Sequence, residues 1–298
     1  MGRKLMKMTM HQENKGEGEM KDTPKKFEEL ELKDDFMFGI VMRQPEYCKP
    51  FLETILGVSI QKIEYLENQK TIELTREAKA VRLDIYLNDE KGSIYNIEMQ
   101  TTNKTEIPKR SRYYQAMTDL NLLEKGQTYF DLPKSFVIFI CTFDYYNEGR
   151  HMYWFENRCL QQPELPFGDD TVKIVLNTKG RMNDVKKELR ELLEYLDNGS
   201  VHNEFTRKLE EEVVKVRKNE KWRRDYMVLN LAFEDKMRQG LEKGRKEGRK
   251  EGRREERNDL KEAIFLLKSG KSVDDLKEKE LSEETIKMAE EIITTLSK

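Results

Sequence analysis

Cysteine and histidine are scarce in this chain, and their spacing excludes several classes of protein. Cys48, Cys141 and Cys159 are the only 3 cysteines in 298 residues, and no two of them form a CxxC pair. An odd, unpatterned set excludes a disulfide framework and suits a reducing compartment. The 3 histidines, His11, His151 and His202, have no zinc-ligand spacing. No apolar run approaches the roughly 20 residues of a membrane span. The basic N-terminus, MGRKLMKMTM, lacks the apolar core of a secretory signal. Net charge is no guide to partners either, because 55 Lys and Arg against 57 Asp and Glu leave a formal −2. These absences predict a soluble cytoplasmic protein with no membrane partner.

What the chain does have is a concentration of chemistry between Lys79 and Thr101, KAVRLDIYLNDEKGSIYNIEMQT. Val81, Leu83, Ile85 and Leu87 alternate with Arg82, Asp84 and Tyr86, the period of a strand with one apolar face. Asn88 to Gly92 is turn chemistry, and Ile94, Tyr95, Ile97 and Met99 restart a second strand. Three residues interrupt the apolar pattern: Asp84 in the first strand, and Glu98 and Gln100 in the second. Glu98 and Gln100 are two apart and share a face. A paired hairpin brings Asp84 towards Glu98, and two carboxylates with a polar neighbour at a sheet make a candidate divalent-metal site. An acid within a strand is otherwise a residue of the solvent face.

Around this stretch the elements follow one another as an α/β chain. Residues 1–26 are polar and read as a disordered tail. Asp34 and Asp35 start a helix through Phe36, Phe38, Ile40 and Val41, with Asp35 an N-cap candidate. Pro45 to Leu56 is a second helix, opened by Pro and closed by Gly57. Val58 to Glu67 alternates as a strand. Pro108 to Gly126 is a helix, with Tyr113, Met117, Leu120 and Leu123 at helical spacing. Its first turns carry Lys109, Arg110 and Arg112. Ser135 to Phe143 is almost wholly apolar, as in a strand buried on both faces. His151–Cys159 and Thr171–Asn177 are two more strands. This order predicts a central mixed sheet flanked by helices.

From Asp184 onward the chain reads as helix. Leu189, Leu192, Leu193 and Leu196 form an amphipathic segment that stops at Asn198-Gly199. Phe205 to Gly240 is highly charged with a thin apolar stripe (Leu209, Val213, Val216, Trp222, Tyr226, Leu229). Gly240, Gly244, Gly248 and Gly252 then recur every fourth residue among lysines and arginines. In a helix they form one slowly drifting stripe, although each glycine weakens a helix by about 1 kcal/mol. The repeat therefore marks a helical arm used in assembly or DNA contact, or a flexible basic linker. The domains expected are a folded domain over 27–200, a charged helical arm over 201–257 and a small helical segment over 258–298.

Residues Asp84-Ile85 and Ile97-Glu98-Met99-Gln100 resemble the PD-(D/E)XK nuclease superfamily, in its Rpn branch of recombination-promoting nucleases, the nuclease-family transposases. KDDFMFGIVM, FLETILG, RSRYYQAM, LLEKGQTYFDL and SFVIFICTF occur in the order that family shows, and the resemblance covers about 30–240. It implies a restriction-endonuclease-like core and a Mg²⁺-dependent endonuclease acting on DNA, with Mn²⁺ or another divalent cation as the alternative. Asp84, Glu98 and the carbonyl of Met99 would be the metal ligands, with Asp35 as a further acid. Gln100 stands where the superfamily usually has Lys. It can orient a water and donate a hydrogen bond, but it carries no positive charge. Lys79, Arg82, Lys109, Arg110 and Arg112 are candidate contacts to the DNA backbone. The helical tail is a candidate surface for homo-oligomers. The alternative reading is a catalytically weak or inactive DNA-binding or assembly protein that keeps the fold.

Overall fold

A computed structural model describes residues 25–66, 71–72, 81–82, 85–103, 106–123, 126–279 and 281–296. The chain divides into two compact units, Met1–Tyr226 and Met227–Lys298. Among the described residues, no helix is long and apolar enough to cross a membrane.

The first unit is built on six strands: β1 (Ile63–Tyr65), β4 (Ile85–Asp89), β5 (Ile94–Gln100), β6 (Ser135–Cys141), β7 (Met152–Phe155) and β8 (Thr171–Asn177). Their spatial order is β1-β4-β5-β6-β8-β7. Strands β4 and β5 form an antiparallel hairpin in which Ile85 faces Ile97. Strand β6 runs parallel to β5 on one side and to β8 on the other. A strand in that position is covered on both faces, and all seven residues of β6 are buried. The sheet is mixed, as the element order predicts.

Three expected strands differ from those observed. The alternation from Val81 to Leu87 belongs to two ladders. Val81–Arg82 (β3) pairs with Thr71–Ile72 (β2) in a separate two-stranded sheet, while β4 joins the main sheet. The strand expected over Val58–Glu67 is reduced to Ile63–Tyr65, and Val58 is exposed. The strand expected over His151–Cys159 ends at Phe155, where pairing with β8 stops at Lys173. Alternation marks a chain able to be a strand, but a neighbour must accept its hydrogen bonds.

Helices cover both faces of the sheet. On one face lie α1 (Asp35–Met42), α2 (Pro45–Leu56), α4 (Lys187–Asn198) and α5 (Glu204–Arg217). Phe38, Phe51, Leu52, Leu192, Leu209 and Val213 from these helices pack in one cluster with Leu87, Ile97, Met99, Ile138 and Leu176 of the sheet. Each such side chain contributes about 1.5–3 kcal/mol on burial. Leu209, Val213 and Val216 fall in the stretch that reads as a charged arm, yet all three are core residues, because even a thin apolar stripe suffices to dock a helix. Gly57 and Gly199 close α2 and α4 at φ 66° and 78°, the left-handed region where a Cβ is strained.

The opposite face is covered by α3 (Ile107–Leu122), which links the parallel strands β5 and β6. It ends one turn before the expected stop at Gly126. Of the expected tail, residues 1–24 lie outside the described residues. Lys25 is held in place: its carbonyl accepts from the Tyr226 hydroxyl at 2.8 Å, and its ammonium meets Asp34 at 2.9 Å.

The loop before β7 is joined to the segment between β8 and α4 by a largely buried pair. The His151 ring meets Asp184 Oδ1 through Nδ1 at 2.9 Å, and the His151 backbone N–H donates to the same carboxylate at 3.1 Å. Burial pushes the Asp184 carboxyl up, but the His151 hydrogen bonds outweigh it, so the group lies below its ordinary 3.8. A carboxylate with a lowered folded-state pKa stabilises the fold above the unfolded pKa and loses that contribution as pH falls through the folded one. Asp184→Ala should therefore lower stability by about 1–2 kcal/mol at pH 7. Thermal melts at a series of pH values should show the gap to wild type closing below the ordinary carboxylate range. A gap independent of pH would refute the assignment.

Helix α6 (Glu220–Lys268) begins in the first unit and runs unbroken through the glycine repeat. Of the two sequence readings, the helix is the one observed. A Cβ built on any of Gly240, Gly244, Gly248 or Gly252 meets nothing within 4 Å. In the second unit, α7 (Val273–Glu278) and α8 (Glu283–Leu296) form a small cluster with the end of α6 through Ala263, Leu276, Ile286 and Ala289. Ser272 caps α7 by accepting from the Asp275 backbone N–H, with the Asp275 carboxylate reaching back to Ser272.

Candidate active site

Strand β5 separates two environments by its period of two. Tyr95, Ile97 and Met99 enter the large core, while Asn96, Glu98 and Gln100 face α3. Glu98 is 2% exposed and Gln100 half-buried. A carboxylate this deep requires a compensating cation or several hydrogen-bond donors. The first turn of α3 supplies a cation. Arg110 donates to Gln100 Oε1 at 2.6 Å through Nη1 and reaches Glu98 Oε2 at 3.4 Å through Nη2. Gln100 Nε2 in turn donates to the Met99 carbonyl at 2.6 Å.

The guanidinium is itself held in place. The Tyr114 hydroxyl, one helical turn on, accepts from Nη2 at 2.9 Å and from Nε at 3.3 Å. The Arg110 group lies 5.4 Å from the centres of both the Tyr114 and Phe139 rings, and those rings stack at 6.1 Å. Glu98 and Phe139 are register partners in the parallel β5–β6 pair, which places the aromatic support directly beside the acid. The result is one rigid unit, Glu98–Gln100–Arg110–Tyr114, at the carboxyl end of β5 under the start of α3.

The expected site residues are therefore distributed unevenly. Glu98, Gln100 and Arg110 are brought together. Asp84 and Lys79 lie outside the described residues, and of Arg82 the structure describes only the strand backbone. Lys109 and Arg112 flank Arg110 on α3 and are exposed. Asp35 opens α1, whose apolar side packs on the sheet face opposite that of Glu98. It is exposed in the first helical turn, where a carboxylate favours the helix dipole.

The sequence reading missed a buried polar layer next to this unit. Asn96, Ser111, Gln115, Thr118 and Ser135 are all buried between the sheet and α3. Gln115 Nε2 donates to Ser135 Oγ at 2.6 Å. Both amide atoms of Asn96, and the hydroxyls of Ser111 and Thr118, meet no protein partner among the described residues. The signal was present in the spacing, because Ser111, Gln115 and Thr118 recur at helical period and Asn96 is in phase with Glu98.

The oxygen donors here suit a hard divalent cation such as Mg²⁺. The observation that favours the fit is the buried Glu98 carboxylate at the end of β5; Arg110, 3.4 Å away, competes with a cation for it. Among the described residues, no group of three or more His, Cys, Asp or Glu comes together as a complete metal site. Of the expected ligands, Glu98 and the Met99 carbonyl lie within the described residues and Asp84 does not.

Comparison with known proteins bears on the same segment. Residues 35–165 match the family model described as PD-(D/E)XK nuclease family transposase. No curated protein and no solved structure matches the chain.

Proposed function

We propose that the protein, whose residues 35–165 match the model of the PD-(D/E)XK nuclease family transposases, is a Mg²⁺-dependent DNA endonuclease that cleaves phosphodiester bonds during recombination or movement of a mobile element. The observation that carries this reading is the Glu98–Gln100–Arg110 unit at the end of β5. Glu98, the Met99 carbonyl and Asp84 are the proposed ligands. Asp84 directly precedes Ile85, which faces Ile97, the neighbour of Glu98. A divalent cation bound there supplies Lewis-acid polarisation of a phosphoryl oxygen and a more acidic water.

The chain's own groups set up the remainder. Gln100 has its carbonyl oxygen engaged by Arg110 and one N–H engaged by Met99, so its second N–H is the one left to orient a water or a phosphate oxygen. The aromatic and apolar neighbours of Glu98 exclude bulk water from its inner side, which strengthens every charge interaction at the site. Lys109 and Arg112, exposed on the first turns of α3, would contact the DNA backbone without reading sequence. Homo-oligomers through the helical tail are part of the same proposal.

The test is nicking of supercoiled plasmid with Mg²⁺, with a chelator control and Asp84→Asn in parallel. We expect wild type to nick, the chelator to stop it and D84N to nick at least about 100-fold more slowly. Equal nicking by wild type and D84N would remove Asp84 from the site. The neutral Gln100 favours a second reading, a catalytically inactive DNA-binding or assembly protein of the same fold. That reading requires salt-dependent DNA affinity, unchanged by D84N, and no cleavage at any metal concentration.

A further inference from the structure

Gln100 lacks a charge that phosphodiester hydrolysis demands. The attacked phosphate gains negative charge on its non-bridging oxygens, and a fixed cation beside them is a large part of how a protein lowers that barrier. The strand position in phase with Glu98 is neutral, yet the site is not without a cation. Arg110 places its guanidinium against the Gln100 side chain at 2.6 Å and beside Glu98 at 3.4 Å.

The geometry points to Arg110 as the catalytic cation of this site, delivered from helix α3 in place of a lysine on strand β5, and contacting a non-bridging oxygen of the scissile phosphate. This inference rests on the nuclease reading and makes it more specific.

Three features distinguish Arg110 from an ordinary surface arginine. It is held on several sides, by the Tyr114 hydroxyl, the Gln100 amide and the Tyr114 and Phe139 rings, so little reorganisation is needed when charge develops beside it. Its side chain keeps 22% exposure whereas Glu98 keeps 3%, so the guanidinium is the part of the pair that a substrate can reach. Its hydrogen bonds to Tyr114 (two), Gln100 and Glu98 occupy at most four of its five N–H groups, and a planar guanidinium is suited to phosphate oxygens. The Glu98 contact has a second consequence. A guanidinium beside the carboxylate competes with any metal ion for it, so the same residue keeps the buried acid neutralised in the metal-free protein.

The experiment compares wild type, Arg110→Met and Arg110→Lys in three measurements. These are single-turnover cleavage of duplex DNA at saturating protein with Mg²⁺, DNA affinity by anisotropy with Ca²⁺ in place of Mg²⁺, and Mn²⁺ binding to DNA-free protein by electron paramagnetic resonance. R110M should lower the saturated rate by roughly 10²–10³-fold, the scale for losing one preorganised donor to a developing oxyanion. DNA affinity should fall by no more than about tenfold, the loss of one or two phosphate contacts. R110K should recover at least about tenfold of the lost rate, because it restores the charge but not the planar fork. Mn²⁺ should bind R110M a few-fold more tightly than wild type, a readout that does not depend on cleavage.

R110M cleaving within about threefold of wild type would overturn the role and leave the nuclease reading standing. So would a loss confined to DNA affinity, or Mn²⁺ binding that weakens. Should R110M fail to fold, R110K decides: a rate no better than that of a Glu98 variant would reject a charge-supplying role. A wild type that leaves DNA uncut under every metal condition would remove the nuclease reading and this proposal with it.

Discussion

Glu98→Gln should reduce DNA cleavage by about 10³-fold while leaving the protein folded. The magnitude follows from the position of the acid. A metal-ligating carboxylate supports several kcal/mol of transition-state charge stabilisation, and about 4 kcal/mol corresponds to roughly 10³ in rate. Glutamine matches the volume of glutamate, so the pocket between β5 and α3 keeps its packing, and the amide oxygen can still accept from Arg110. The change removes the charge alone. Stability should fall by no more than about 3 kcal/mol: removing one partner of a buried pair leaves the other charge uncompensated, but the Arg110 side chain keeps 22% exposure and its bonds to Gln100 and Tyr114. The informative comparison is therefore rate against melting temperature in the same preparation. A variant that cuts at the wild-type rate removes Glu98 from the chemistry. A variant that loses rate and fold together shows that the acid is structural, with Arg110 as its partner.

Phe51→Ala should cost about 3–5 kcal/mol of stability, the range for emptying a phenylalanine site in a packed core. Phe51 is 0% exposed on α2 and meets Phe38 of α1 edge to face, with ring centres 5.9 Å apart. Both rings lie in the large cluster that joins four helices to the sheet, so neither neighbour can collapse into the gap without leaving its own contacts. The measurement has a convenient probe. The chain has 2 tryptophans, Trp154 and Trp222, and both belong to the first unit. Tryptophan fluorescence thus follows the unit that contains Phe51, and its thermal midpoint should fall by roughly 10 °C, at 2–4 °C per kcal/mol for a domain of this size. A fall of less than 3 °C would show that the four-helix side is not a tightly packed layer.

Much of the first unit was legible from local pattern. The apolar run SFVIFIC and the segment TVKIVLN are the two strands expected, with the second at its observed bounds. Helix α2 runs from Pro45 to Leu56 as the proline at its start and the glycine after its end indicate. These features are legible because they are decided within a few residues, by alternation, by a fixed φ or by a φ only glycine tolerates. Val58 shows the limit. Its alternating neighbourhood is strand-like in sequence, but the pairing partner that would make it a strand is present only from Ile63 onward.

The candidate site divides along the same line. Its acidic and amide members could be named from strand phase alone, since Glu98 and Gln100 must share a face once β5 is a strand. The placement of Arg110 could not be read in this way. Helical spacing puts it near Tyr114, but that turn of α3 meets Gln100 only because the crossover from β5 to β6 lays the helix back across the end of β5. Sequence by itself therefore determined which side chains lie in phase within each element: the acid, the amide, the buried strands and the helix ends. Tertiary structure decided which elements meet, and with that the cation beside Glu98, the polar layer under α3 and the burial of α5. Local periodicity is a property of a few consecutive residues, whereas docking depends on packing and closure over the whole domain.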